Sequence, residues 1–247
     1  MELIAAFQFL TLLPIKRGFT AEQVGRSSVY FPIVGLVIGV VLAGLDWGLG
    51  LILPAAVVNV LLVAALAIFS GGLHLDGLAD TLDGMAGHRT PDERLTIMKD
   101  SRIGGFGAIG LALFLIIEYV TLNNIPATVK MQVLVLAPVL SRWAMVNSIF
   151  VYPYARPTGL GKTFKEAVNL RHFVFATLVS LSLACVLFKW AGLIIITGVW
   201  LIVTLMALHF KNRLRGLTGD TYGAINEISF VIVLIITLLL SHNHWLL

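Results

Sequence analysis

Seven stretches of this chain, 29–45, 55–73, 106–122, 133–151, 173–188, 191–208 and 225–240, are almost continuously apolar over 16–19 residues each. A helix needs roughly 17–25 residues to cross a hydrocarbon core, whereas barrel strands alternate over about ten. In hydrocarbon each backbone polar group must be satisfied internally, so a helix bundle is the remaining solution. Composition agrees. Hydrophobic residues make up 58% of the 247 positions and charged ones 12%, against roughly 25% charged in soluble domains, and the mean hydropathy is +0.95. The chain reads as one integral membrane domain, 1–247, all-α and multi-pass, with seven transmembrane helices. Residues 1–14 are apolar but too short to span, and no basic residues precede them as in a signal peptide, so they are expected to be interfacial or re-entrant. The single cysteine, Cys185, lies among Leu183, Ala184, Val186 and Leu187. It excludes an internal disulfide and reads as an inert small apolar residue.

The basic residues fix an expected orientation. Fourteen of seventeen fall in the leader before residue 29 and in the connections 84–105, 152–172 and 209–224. Lys130 and Lys189 fall on the other side, and Arg142 lies inside a span. This split is what seven helices with a cytoplasmic N-terminus require. The net charge is +4, yet the basic residues alternate with apolar stretches instead of clustering, which argues against nucleic acid as a partner.

Acidic residues contribute little to topology, so their positions are free to report chemistry. The densest cluster is His74-Leu75-Asp76-Gly77-Leu78-Ala79-Asp80-Thr81-Leu82-Asp83-Gly84, where the second span reaches the cytoplasmic side. If the helix continues, Asp76, Asp80 and Asp83 stand at i, i+4 and i+7 and share one face. Their mutual repulsion calls for a cation, and hard carboxylate oxygens suit Mg²⁺ or Mn²⁺. Gly77 and Gly84 each follow an aspartate, which suggests close approach of a ligand or a neighbouring backbone. His74 could act as a base or simply be hydrogen-bonded.

Loops on the same side add glycine and positive charge. Thr90-Pro91-Asp92-Glu93 reads as a capped helix start, which makes Asp92 and Glu93 structural and turns Leu95 and Met98 toward an apolar surface. In 98–107, Lys99 and Arg102 could hold phosphate oxygens, with Asp100 beside them and the amides of Gly104 and Gly105 donating. The segment 154–163 holds Arg156 and Lys162 around a Gly-Lys-Thr that is not a P-loop, because Arg156 stands where the first glycine would be. Asp220 and Glu227, leading into the last span, offer further metal ligands. Glu118 and Arg142 lie well inside spans and read as an ion pair. His242 and His244 carry no evident chemistry. Carboxylates, a divalent cation and basic clamps are the equipment of phosphoryl transfer. The loops expected to carry it are 70–105, 152–172 and 209–227.

At these residues the chain resembles the cobalamin synthase family, the adenosylcobinamide-GDP ribazoletransferases. The resemblance rests on 74–84, on Met-Lys-Asp-Ser-Arg-Ile-Gly-Gly-Phe-Gly at 98–107, on Arg156-Pro157 with Gly159 and Gly161, and on Thr-Gly-Asp-Thr-Tyr-Gly-Ala at 218–224. It runs from Phe9 to the last span. It implies transfer of the cobinamide phosphate from adenosylcobinamide-GDP to α-ribazole or its 5′-phosphate, with Mg²⁺ and release of GMP, in the bacterial inner membrane among its lipids. Asp76, Asp80 and Asp83 would hold the metal, assisted by Asp220 or Glu227. Lys99, Arg102 and Arg156 would neutralise phosphates, and one aspartate or His74 would take the hydroxyl proton. Asp76-Gly77-Leu78-Ala79 also looks like the opening of the CDP-alcohol phosphotransferase motif, but Asp80 replaces its arginine and the later spacing departs. A lipid-forming CDP-alcohol transferase would share the metal chemistry but release CMP. A secondary transporter would place its charges near the midplane in repeated halves, and no repeat is visible.

Overall fold

The computed structural model of the chain describes residues 1–243, so His244 lies outside the described residues. All regular structure in it is helical apart from one isolated bridge pair. In chain order the helices are α1 (Glu2–Leu10), α2 (Ala21–Arg26), α3 (Phe31–Gly50), α4 (Ala55–Phe69), α5 (Leu73–Met85), α6 (Pro91–Ile97), α7 (Gly105–Asn123), α8 (Ala127–Val151), α9 (Leu160–Ala167), α10 (Leu170–Phe188), α11 (Trp190–Leu214) and α12 (Gly219–His242). Six helical stretches, 21–50 and α7, α8, α10, α11 and α12, are long and apolar enough to cross a membrane. The bent pair α4 and α5, counted together as one broken span, brings the number to seven.

That pair departs from the sequence reading, in which the second helix ran on into the acidic cluster. The helix stops at Phe69, and α5 leaves at 89° to α4. The cause is local. Gly71 and Gly72 hold φ of 61° and 69°, a left-handed conformation that costs L side chains roughly 1–2 kcal/mol per residue. Gly71 N–H donates to the Ile68 carbonyl and Gly72 N–H to the Ala67 carbonyl, each at 2.9 Å, which is a Schellman closure of α4. At 15 residues α4 rises ~22 Å, so α5 turns along the end of the bundle instead of prolonging the span. Leu12 N–H seals the break by donating to the Phe69 carbonyl at 3.0 Å. The leader forms α1, which sinks Ala5, Ala6 and Leu10 into the core.

The bundle is built around α8, whose residues from Val133 to Ile149 are buried almost without interruption. It faces α3 on one side and α12 on the other. Gly35 and Gly39 bring α3 against the α8 backbone at Pro138 and Val135. α7 and α10 turn Leu113, Ile116, Leu178 and Val186 outward, as helices in lipid contact do. Cys185 is a half-buried free thiol. The short connections after α3, α7 and α10 lie at one end of the bundle, where Asn59 bonds Asn123 at 2.9 Å and Lys130 pairs with Asp46. The connections carrying most of the basic residues lie at the other end, together with α5.

Gly35→Ala should lower the thermal midpoint of the detergent-purified protein, because the added methyl has no room against the Pro138 carbonyl. Gly44→Ala meets open space and should be neutral or stabilise by up to ~1 kcal/mol. Equal effects at the two sites would contradict the α3–α8 contact.

Candidate functional site

The site begins where α5 crosses α12. A Cβ on Gly77 would lie 2.9 Å from the Asp220 carbonyl oxygen, and one on Gly223 would lie 3.1 Å from that of His74. Backbone therefore meets backbone at both glycines. The neighbour expected at Gly77 is the chain itself, and at Gly84 it is the Met98 side chain. This crossing sets Asp76 beside Asp220 on a shared edge.

The loop after α8 is stitched to the segment before α12. Tyr154 bridges Leu217, Ala155 N–H donates to the Leu217 carbonyl at 2.7 Å, and Leu217 N–H donates to the Pro153 carbonyl at 2.8 Å. Arg156 thereby reaches two other elements. Its Nη2 donates to Asp220 Oδ2 at 2.7 Å and to the Met98 carbonyl at 3.3 Å. Thr218 caps α12 with a reciprocal bond to Thr221.

A cavity of about 420 Å³ opens here. Asp76, Lys99, Arg156 and Asp220 line one wall, together with Gly159 and Gly161. Of the expected residues, these and His74 are brought together. Asp80 sits one turn along α5, half-buried, where burial first and then the Asp76 charge push its carboxyl up to about 6. Neither Asp76 nor Asp80 has a hydrogen-bond or ion-pair partner among the described residues.

Other expected residues are used differently. Asp83 accepts from Gly104 N–H at 2.7 Å and Gly107 N–H at 2.8 Å. It thus caps the start of α7 and occupies the Gly104 amide that was expected to meet phosphate. Arg102, Asp100, Gly104 and Gly105 line a separate, more open hollow of about 450 Å³. There Arg102 grips Asp100 through Nε and Nη2 at 3.1 and 2.8 Å, which pulls the Asp100 carboxyl down to about 2. Lys162 donates to the Pro157 carbonyl at 2.8 Å and braces its loop without lining the cavity.

Glu227 is buried away from the aspartates. Asn226 Nδ2 lies 3.1 Å from His74 Nδ1 and 3.0 Å from Glu227 Oε1, donating to both. With Asn226 Nδ2 donating to Nδ1, the neutral His74 ring carries its proton on Nε2, a buried atom without a partner. The expected pair between Glu118 and Arg142 does not form. α12 lies between their helices, and Arg142 bonds Ser141 Oγ at 3.1 Å.

Residues 2–238 match the family described as Cobalamin-5-phosphate synthase. The chain belongs to that family. It is 42% identical over 231 residues to the adenosylcobinamide-GDP ribazoletransferase of Roseiflexus sp. (strain RS-1), covering 93% of this chain and 86% of the relative. Identity to the protein of the same name from Geotalea daltonii is 36% over 231 residues, 93% of each chain. With that of Desulforamulus reducens it is 38% over 238 residues, 94% of each. No solved structure matches.

The sequence reading missed three features of the site. Phe9, Phe31 and Phe164 form a ring cluster with centroids 4.8–5.9 Å apart on the opposite wall of the cavity. Tyr154 stacks on Tyr222 at 6.3 Å. Arg94, fully buried, donates to the carbonyls of Gly84, Gly87 and Arg89 and so shapes the turn that follows α5. The tyrosines lie inside segments the sequence had singled out. The phenylalanines come from three separate helices with no shared pattern.

Two outcomes follow. Asp83→Ala should destabilise it by ~1–2 kcal/mol, the loss of a helix cap, and Asp83→Asn by less, read from chemical denaturation in detergent. Equal stability of all three proteins would contradict the cap. The Asp80 carboxyl holds its proton more tightly folded than unfolded. It therefore favours the fold below about pH 4 and penalises it as pH rises through about 6. Carboxyl NMR of metal-free protein should show a midpoint near 6 that Asp76→Asn moves downward. An unmoved midpoint would contradict the coupling.

Proposed function

We propose that this chain is a transferase that moves the cobinamide phosphate of adenosylcobinamide-GDP onto a hydroxyl of α-ribazole or its 5′-phosphate and releases GMP, the closing step of cobalamin assembly. The observation that carries this reading is the cavity in which Asp76, Lys99, Arg156 and Asp220 meet, in a chain of this family. The positive-inside rule supports a cytoplasmic position for this face and the N-terminus, and the family resemblance supports the bacterial inner membrane as the location of the helices.

Among the described residues no three His, Cys, Asp or Glu side chains form a metal cage. Mg²⁺ rarely uses one; it takes one or two carboxylates, waters and substrate phosphates. The unpartnered Asp76 and Asp80 fit that donor set and would hold it. When bound, Mg²⁺ supplies Lewis-acid neutralisation of the pyrophosphate oxygens. Lys99 and Arg156 bind the remaining phosphate charge, with Arg156 fixed in place by Asp220. The ribazole hydroxyl oxygen forms a bond to the cobinamide-linked phosphorus as the bridging bond to GMP breaks. One of the two aspartates, Asp76 or Asp80, takes its proton as general base. Catalysis here is mainly positioning and charge stabilisation.

Purified protein in nanodiscs should convert adenosylcobinamide-GDP and α-ribazole to a cobalamin and GMP, in a Mg²⁺-dependent way. Asp76→Asn and Asp80→Asn should each lose about 10²-fold, or ~2.7 kcal/mol of transition-state stabilisation, while the exposed Asp92→Asn stays near wild type. Absence of GMP release, or near-normal rates in both variants at limiting Mg²⁺, would overturn the reading.

A further inference from the structure

The cavity has two chemically different walls. α5, α12 and the loops at Lys99 and Arg156 give one charged wall, whereas α1, α3, α8 and α9 give Phe9, Phe31, Met145, Ile149 and Phe164. The second wall carries no side-chain hydrogen-bonding group apart from the weak thioether. Tyr222 Oη and His74 Nε2 are buried without a partner, on residues that line the cavity. Buried polar atoms are rarely left unpaired, so an orphan hydroxyl and an orphan ring N–H mark a place for a ligand acceptor.

About 420 Å³ lies at the low end of the range for small-molecule sites. It holds a nucleoside and is far too small for a corrin carrying a nucleotide. Two planar bases then compete for the aromatic wall. Guanine presents two N–H donor groups and two strong acceptors around its edge and would lose most of them against phenylalanine and isoleucine. A benzimidazole nucleoside presents an apolar bicycle with one unsubstituted ring nitrogen, an acceptor only. Flat aromatic rings favour stacked or edge-on neighbours at 4.5–7 Å, the spacing the three phenylalanines already keep among themselves.

Resting on the transferase reading above, we infer that this cavity is the acceptor-nucleoside pocket. The benzimidazole of α-ribazole lies against Phe9, Phe31 and Phe164, and its free ring nitrogen accepts from Tyr222 Oη, with His74 Nε2 as the neighbouring donor. The ribose then extends toward Asp76, which places its hydroxyl at the charged wall. The pyrophosphate meets Lys99 and Arg156 at the mouth, and the corrin and guanine remain outside.

Binding of labelled α-ribazole to the full chain in nanodiscs, by equilibrium dialysis without the second substrate, reads this directly. Wild type should bind α-ribazole about tenfold tighter than the indole riboside, which has C–H in place of the ring nitrogen. Tyr222→Phe, which removes one unpartnered hydroxyl and keeps the ring, should erase that preference. Phe9→Leu should weaken both ligands about tenfold and raise the KM for α-ribazole while leaving that for adenosylcobinamide-GDP unchanged. Retention of the preference in Tyr222→Phe, an unchanged affinity in Phe9→Leu, or displacement of α-ribazole by GMP alone would overturn the assignment. Each of these results is compatible with normal turnover by wild type, so the pocket can fail while the transferase reading stands. Absence of wild-type turnover beside normal nucleoside binding would separate them the other way.

Discussion

Two glycines let α5 and α12 approach until backbone touches backbone, and the site depends on that crossing. A Cβ at Gly77 would force one of the two backbones to shift, and one at Gly223 would need its neighbour to give by a few tenths of an ångström. The crossing exists only because α4 ends early. A single long helix would have carried the aspartates straight out of the bundle, away from α12. The left-handed pair Gly71 and Gly72 turns the chain through 89° at the membrane face. Irregular backbone is tolerated there, because the freed carbonyls close on Gly71, Gly72 and Leu12.

That geometry gathers like charge, and the protein divides it. Asp83 is consumed by the amides at the start of α7. Asp220 is neutralised by Arg156, which also ties the α8–α9 loop to the end of α6. Asp76 and Asp80 are left without partners, and burial first, then the Asp76 charge, raises the proton affinity of Asp80. Asp76 lines the cavity together with Lys99, and Asp80 lies one turn away on α5. Deeper in, Asn226 Nδ2 links His74 to Glu227 and ties α5 to α12.

The sequence was legible wherever the signal was local. The capping box Thr90–Glu93 forms as its spacing demands, the α6 end buries Met98, and the apolar runs become the helices of the bundle. The i, i+4, i+7 spacing put three aspartates on one helix face correctly, but what each aspartate meets depends on neighbours remote in sequence. Asp83 finds an amide 24 residues on, which no spacing rule predicts. Glu118 and Arg142 looked paired because their spans are consecutive, yet α12 returns between them. The aromatic wall joins α1, α3 and α9, and isolated phenylalanines in apolar helices carry no mark of being gathered. The Schellman turn could have been read from Ser70-Gly71-Gly72 had the apolar run not been followed through it.

The central claim is that loops far apart in sequence build one site at one membrane face. Single cysteines introduced at the exposed positions Arg89, Thr158, Arg213 and Asn124, in a chain whose Cys185 is replaced by alanine, test it with a membrane-impermeant maleimide. The account predicts that the first three label only from the cytoplasmic side and the Asn124 position only from the opposite one. Labelling of the Arg89 and Thr158 positions from opposite sides would contradict it.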